Sequence, residues 1–114
     1  MGAQSRVPDE PLGFIKHCIE RKRTFWTYHV NMRLGERPIS RAIILGVVGS
    51  FEIIEQYPDD KYFPSYLITA AYGDLVFHVQ IATDVASDNI RIVTAYKPDP
   101  VKWDSEFRTR REKT

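Results

Sequence analysis

SYLITAAYGDLVFHVQIA, residues 65–82, decides the fold. Two runs rich in β-branched and aromatic residues flank Gly73-Asp74, a dipeptide suited to a tight hairpin turn. The reading is therefore a strand, a turn and an antiparallel strand. Alternation along the second run puts Leu75, Phe77, Val79 and Ile81 on one face, and Val76, His78, Gln80 and Ala82 on the other. The larger apolar face belongs on a helical layer, which leaves His78 on the more open side.

Working outward, FEIIEQY (51–57) reads as a preceding strand and PDDK (58–61) as its turn. IRIVTAYKP (90–98) reads as a last strand after the turn VASDN. DPVKWDSEF (99–107) reads as a short helical segment that lays Trp103 and Phe107 on the core. Towards the N-terminus, Phe14, Ile15, Cys18 and Ile19 fall at helical spacing after Pro11. TFWTYHV (24–30) reads as a short strand. NMRLGER (31–37) carries a helical turn limited by Gly35 and Pro38. A second helix follows, with Ser40 as N-cap and Ile43, Ile44, Val47 and Val48 facing inward. The expected architecture is α+β: N-terminal helices, then an antiparallel sheet of about four strands. Residues 1–10 read as a flexible N-terminus, 11–107 as a single domain and 108–114 as a basic C-terminal tail.

Length and composition suit one globular domain: 114 residues, 43% hydrophobic and 27% charged. The single cysteine, Cys18, excludes an internal disulfide and argues for a reducing compartment. The polar start MGAQSRVPDEP lacks a signal-peptide core, and no apolar run is long enough for a membrane span. A cytoplasmic protein is the expectation. The net charge of +1 hides an asymmetry. Residues 1–41 carry eight Lys/Arg against four Asp/Glu, residues 42–96 carry two against seven, and residues 97–114 carry six against four. Basic ends around an acidic middle fit a face that meets a polyanion.

The chemistry centres on His29, Arg33 and Arg37. Four-residue steps place them on one stripe of a helix, where they repel one another unless an anion lies along it. Metal-free RNA cleavage needs proton transfer to and from oxygen, and positive charge at the phosphorus. His29 and His78 are the candidate acid/base pair, and Arg33 and Arg37 the phosphate clamp. Tyr96 offers a hydroxyl or a stacking surface. Each residue also has an ordinary reading. His29 suits a backbone-bonded junction residue, and Arg33 and Arg37 suit ion pairs with Glu52 and Glu55. His78 suits a satisfied sheet histidine, and Tyr96 suits sheet packing. Ser65 has no evident base. His17 beside Cys18 is a weak metal hint, because neighbours do not share a helix face. No Gly-rich phosphate loop and no Cys/His zinc set is present, so neither cofactor nor metal is expected.

The combination of H-x3-R-x3-R (29–37), P-I-S (38–40), E-Q-Y-P-D-D (55–60), F-P-S-Y-L (63–67), F-H-V (77–79) and T-A-Y-x-P-D-P-x-x-W (94–103) resembles an uncharacterised bacterial domain family. That family is distantly similar to the RelE/MqsR-like toxin endoribonucleases. The resemblance implies a RelE-like fold, RNA as substrate and a cognate antitoxin, often of zinc-finger type, as partner. This chain departs from the pattern at Gly35, where many members carry a longer alanine-rich helix. The competing expectation is a non-catalytic module whose basic stripe binds a protein partner or nucleic acid. A third is a subunit that forms a homodimer through an exposed edge strand.

Overall fold

The computed structural model describes residues 6–28, 30 and 39–111. Helix α1 spans Pro11–Glu20 and strand β1 Thr24–Trp26. Helix α2 spans Arg41–Gly46, followed by a 3-10 turn at Val48–Ser50. Strands β2 (Glu52–Tyr57), β3 (Ser65–Tyr72), β4 (Leu75–Asp84) and β5 (Asn89–Tyr96) follow.

The fold is α+β, but the sheet has five strands rather than about four, in the order β1-β5-β4-β3-β2. Nor do the helices simply come first. β1 follows α1 and joins the sheet parallel to β5, while every other pairing is antiparallel. Three residues are enough for this because Phe25 and its neighbours extend the β5 edge over a short register. The Gly73 hairpin forms as expected, with Gly73 at φ +60°, a conformation that costs glycine little. Ser40 caps α2, its Oγ accepting the Ile43 N–H at 3.1 Å.

Helices α1 and α2 lie on one face. Ile15 and Cys18 of α1 and Ile44 of α2 join Tyr66, Ile68, Phe77, Val79, Ile81, Ile90, Ile92 and Ala95 in a single buried core. The alternation in β4 is therefore correct in its assignment of the helix-facing side.

The segment expected to be helical after β5 is instead a small turn-rich hairpin. Lys102 accepts from the Arg111 N–H at 2.8 Å, and Asp104 N–H donates to Thr109 O at 2.9 Å. The Asp104 carboxylate draws in the N–H groups of Glu106 and Arg108, which competes with helical bonding. Those same bonds hold the Asp104 carboxyl below the usual carboxylate range. Phe107 sits at φ +58° inside this turn, a costly conformation for an aromatic residue. The hairpin lays Trp103 on the sheet, almost fully buried.

Candidate functional site

Two bulges build the outer face of the sheet, the face away from the helices. In β2 the register slips between Ile53 and Glu55. Without the slip, Glu52 and Glu55 would point to opposite sides. With it, Glu52 pairs with Thr69 and Glu55 with Leu67, both outward. In β5 a slip places Thr94 opposite Gln80 and Ile92 opposite Ile81, so Val93 is the extra residue. Arg91, Thr94 and Tyr96 therefore share the outer face with His78, Gln80 and Ala82.

His78 is on this face, as the alternation requires, but it is not open: it is 0% exposed. The C-terminal hairpin covers it, with Trp103 packed edge-on at 4.5 Å between ring centroids. Both ring nitrogens are engaged. Nε2 lies 2.7 Å from the Phe107 carbonyl and Nδ1 3.2 Å from the Tyr96 hydroxyl. A carbonyl only accepts, so Nε2 carries the proton and Nδ1 accepts from Tyr96. Burial pushes the His78 pKa down, against an opposing pull from the Phe107 carbonyl, which keeps the ring neutral. Tyr96 lies directly opposite His78 in register, which settles that the two share a face. Burial raises the Tyr96 pKa, so its hydroxyl stays protonated.

Glu55 completes the cluster. Arg110 grips it with two bonds, Nε at 2.8 Å and Nη2 at 3.1 Å, while its guanidinium lies 4.5 Å from the centre of the Trp103 ring. The Tyr57 hydroxyl donates to the same carboxylate. Desolvation works to raise the Glu55 pKa, but the bonds from Arg110 and Tyr57 outweigh it and keep it lowered. Glu52 is likewise taken, by a two-bond pair with Arg108. The residues read as a basic tail thus bring Arg108 and Arg110 onto the acidic strand. Those arginines occupy the carboxylates that were the alternative partners for Arg33 and Arg37.

Beside the cluster, Gln80 donates to Ser65 Oγ at 3.0 Å, and Ser65 donates to Asp60 at 2.7 Å. Ser65 is a relay here between Gln80 and the Asp60 carboxylate. A cleft of about 470 Å³ opens next to it, lined by Gln56, Tyr57, Pro58, Asp59, Asp60 and Gln80.

His29, Arg33 and Arg37 lie outside the described residues. Among the described residues no group of three or more His, Cys, Asp or Glu could hold a metal, and no helix is long and apolar enough to cross a membrane. Cys18 is buried, and burial pushes its thiol up to about 11.

Residues 26–97 match the model of a family described as a domain of unknown function, DUF4258. The chain belongs to DUF4258. The match begins at Trp26, the last residue of β1, and takes in β2 through β5, and with them Glu55, His78 and Tyr96. It leaves out α1 and the C-terminal hairpin, including Trp103 and Arg110. No curated protein and no solved structure matches the chain.

Sequence reading missed Glu55, Tyr57 and Arg110. A signal was present: the apolar doublets Ile53-Ile54 and Ile92-Val93 break strict alternation, as a bulge does. Counting through those doublets brings Glu52, Glu55 and Tyr57 to one face.

Proposed function

We propose that this chain is a toxin-class endoribonuclease with a RelE-like fold that cleaves RNA without a metal. The observation that carries this reading is the convergence of Glu55, Tyr57, Tyr96, Arg110 and a neutral His78 on one sheet face. Cleavage through the 2′-hydroxyl needs a base, an acid and a cation at the phosphate. Glu55, kept ionised, takes the 2′-hydroxyl proton. The 2′-oxygen bonds to phosphorus and the bond to the 5′-oxygen breaks. The Tyr96 hydroxyl turns from His78 Nδ1 to supply the proton to that departing oxygen, and the proton taken up by Glu55 returns to Tyr96 through water. The products are a 2′,3′-cyclic phosphate and a 5′-hydroxyl, and no redox change occurs.

Arg110 meets the phosphate. Its pair with Glu55 is partly exposed, with side chains 55% and 21% accessible. Such pairs are worth about 0–1 kcal/mol, so an arriving phosphate exchanges for the carboxylate at little cost and frees Glu55. His78 is a positioning residue that fixes the Tyr96 hydroxyl, rather than the acid or base itself. The His29–Arg33–Arg37 spacing supports the same reading by adding phosphate-binding side chains, and a cognate antitoxin of zinc-finger type is the expected partner.

Purified protein in chelator is expected to cut single-stranded RNA, with Glu55→Gln and Tyr96→Phe each losing at least a hundredfold in rate. Intact RNA with the unaltered protein would remove the proposal. The second reading, a non-catalytic binding module, is favoured by the internal satisfaction of His78, Glu55 and Arg110. It predicts RNA or protein binding with no turnover in either protein.

A further inference from the structure

The outer face has a second half, bordering the Glu55 cluster at Tyr57 and extending away from the Trp103 cover over His78. One cross-strand row runs from edge to edge through direct register partners: Phe25 opposite Arg91, Arg91 opposite Ala82, Ala82 opposite Ser65, and Ser65 opposite Tyr57. Four strand spacings make this row about 19 Å long. Its middle is small, Ala82 and Ser65, and its ends are large. That profile is a trough, and two clefts occupy it. The first is the 470 Å³ cleft beside Tyr57, and the second has about 600 Å³ lined by Thr27, Asp60, Tyr62, Phe63, Ala82, Arg91 and Val93. They meet at Asp60.

Three features of the trough point to one class of occupant. Its rim carries exposed rings, Phe25 at 53% and Tyr62 at 75% accessibility. The Arg91 guanidinium lies 5.0 Å from the centre of the Phe63 ring and has no carboxylate partner among the described residues, unlike Arg108 and Arg110. Arg6 also spends its guanidinium on neutral groups, the carbonyls of Asp60 and Tyr62. The acids in the trough are partly committed: Asp60 accepts from Ser65 Oγ and from the Lys61 N–H. Asp59 and Gln80 remain on the lining, where they suit the amino edges of bases rather than phosphates.

We infer that this trough is a binding groove for single-stranded RNA, in which bases stack on Phe25, Tyr62 and the Arg91–Phe63 pair and Arg91 meets the backbone. Unpaired guanidinium beside exposed rings on an open sheet is the combination that holds single strands with little sequence preference. A protein helix would find no continuous apolar floor here, because Ser65 and Asp60 interrupt it. The inference rests on the RNA reading above and names where the strand lies relative to the Glu55 cluster.

Binding is separated from cleavage by a labelled decamer methylated at every 2′-oxygen, which cannot supply the attacking hydroxyl. Fluorescence anisotropy is measured for the full chain and for Phe25→Ser, Tyr62→Ser and Arg91→Gln, each checked for native circular dichroism. The two ring variants are expected to weaken binding about five- to hundredfold. Arg91→Gln is expected to reduce the salt slope by about one. Absence of binding by the unaltered protein, unchanged affinity in all three groove variants, or equally good competition by base-free polyphosphate would overturn the groove. If the decamer binds through these residues while native RNA stays uncut, the groove stands and the nuclease reading falls.

Discussion

The two faces of one sheet have opposite chemistry. The helix face is a continuous apolar surface of Ile68, Phe77, Val79, Ile81, Ile90 and Ile92 under α1 and α2. The outer face places Glu55, Thr69, His78, Gln80 and Tyr96 in adjacent rows. Its polar groups are satisfied by one another and by a short C-terminal hairpin, not by a second helical layer. The same strands thus sort their apolar side chains to the helix side and their polar, titratable ones to the other. A substitution on one side should leave the property of the other side largely intact.

The largest effects belong to the helix face. Phe77→Ala leaves a cavity in the closed core and is expected to cost about 3–5 kcal/mol, read from denaturant midpoints. Trp103→Ala tests the same quantity on the outer face. Trp103 is the main apolar cover of His78, so its loss also admits water to the ring and should raise the His78 pKa, visible by NMR titration. A cost for Trp103→Ala equal to that of an exposed substitution would show that the hairpin is not part of the folded unit.

Acid sharpens the contrast next. The folded His78 pKa lies below its ordinary 6.5, so the unfolded chain binds the proton more readily. Stability from this neutral ring is full above about pH 6.5 and is lost as pH falls through that value towards the folded pKa. Glu55 has the opposite charge type but the same direction. Its lowered pKa stabilises above 4.5 and loses that contribution below it. Two separate declines are expected, and His78→Gln should remove only the upper one. Smaller still is Arg108→Ala. Its pair with Glu52 is exposed, so the denaturation curve should barely move. Cys18 should resist alkylation in the native protein and react only on unfolding, because it is buried and its thiol is held protonated.

The hairpin of residues 65–82 was legible because turn chemistry and alternation agree there. Ser40 was legible because a cap has a local signature. The parallel pairing of β1 was not, since three residues carry no register information and the partner lies some sixty-six positions away. The bulges were only faintly legible, as apolar doublets. The C-terminal hairpin was hidden because its driving interaction, the Asp104 carboxylate on the N–H groups of Glu106 and Arg108, competes with a helix of similar composition. Tyr96 and His78 were each singled out, but their shared face depended on a register the sequence does not fix, and the burial of His78 on that hidden hairpin.

In the proposed function the outer face acts while the helix face folds. It is tested most directly by incubating single-stranded RNA with the protein and with Glu55→Gln in excess chelator, and analysing the new RNA ends. The unaltered protein is expected to leave 2′,3′-cyclic phosphate and 5′-hydroxyl ends, and Glu55→Gln almost none at a stability within about 1 kcal/mol of it. Uncut RNA, or equal cleavage by the variant, would contradict it.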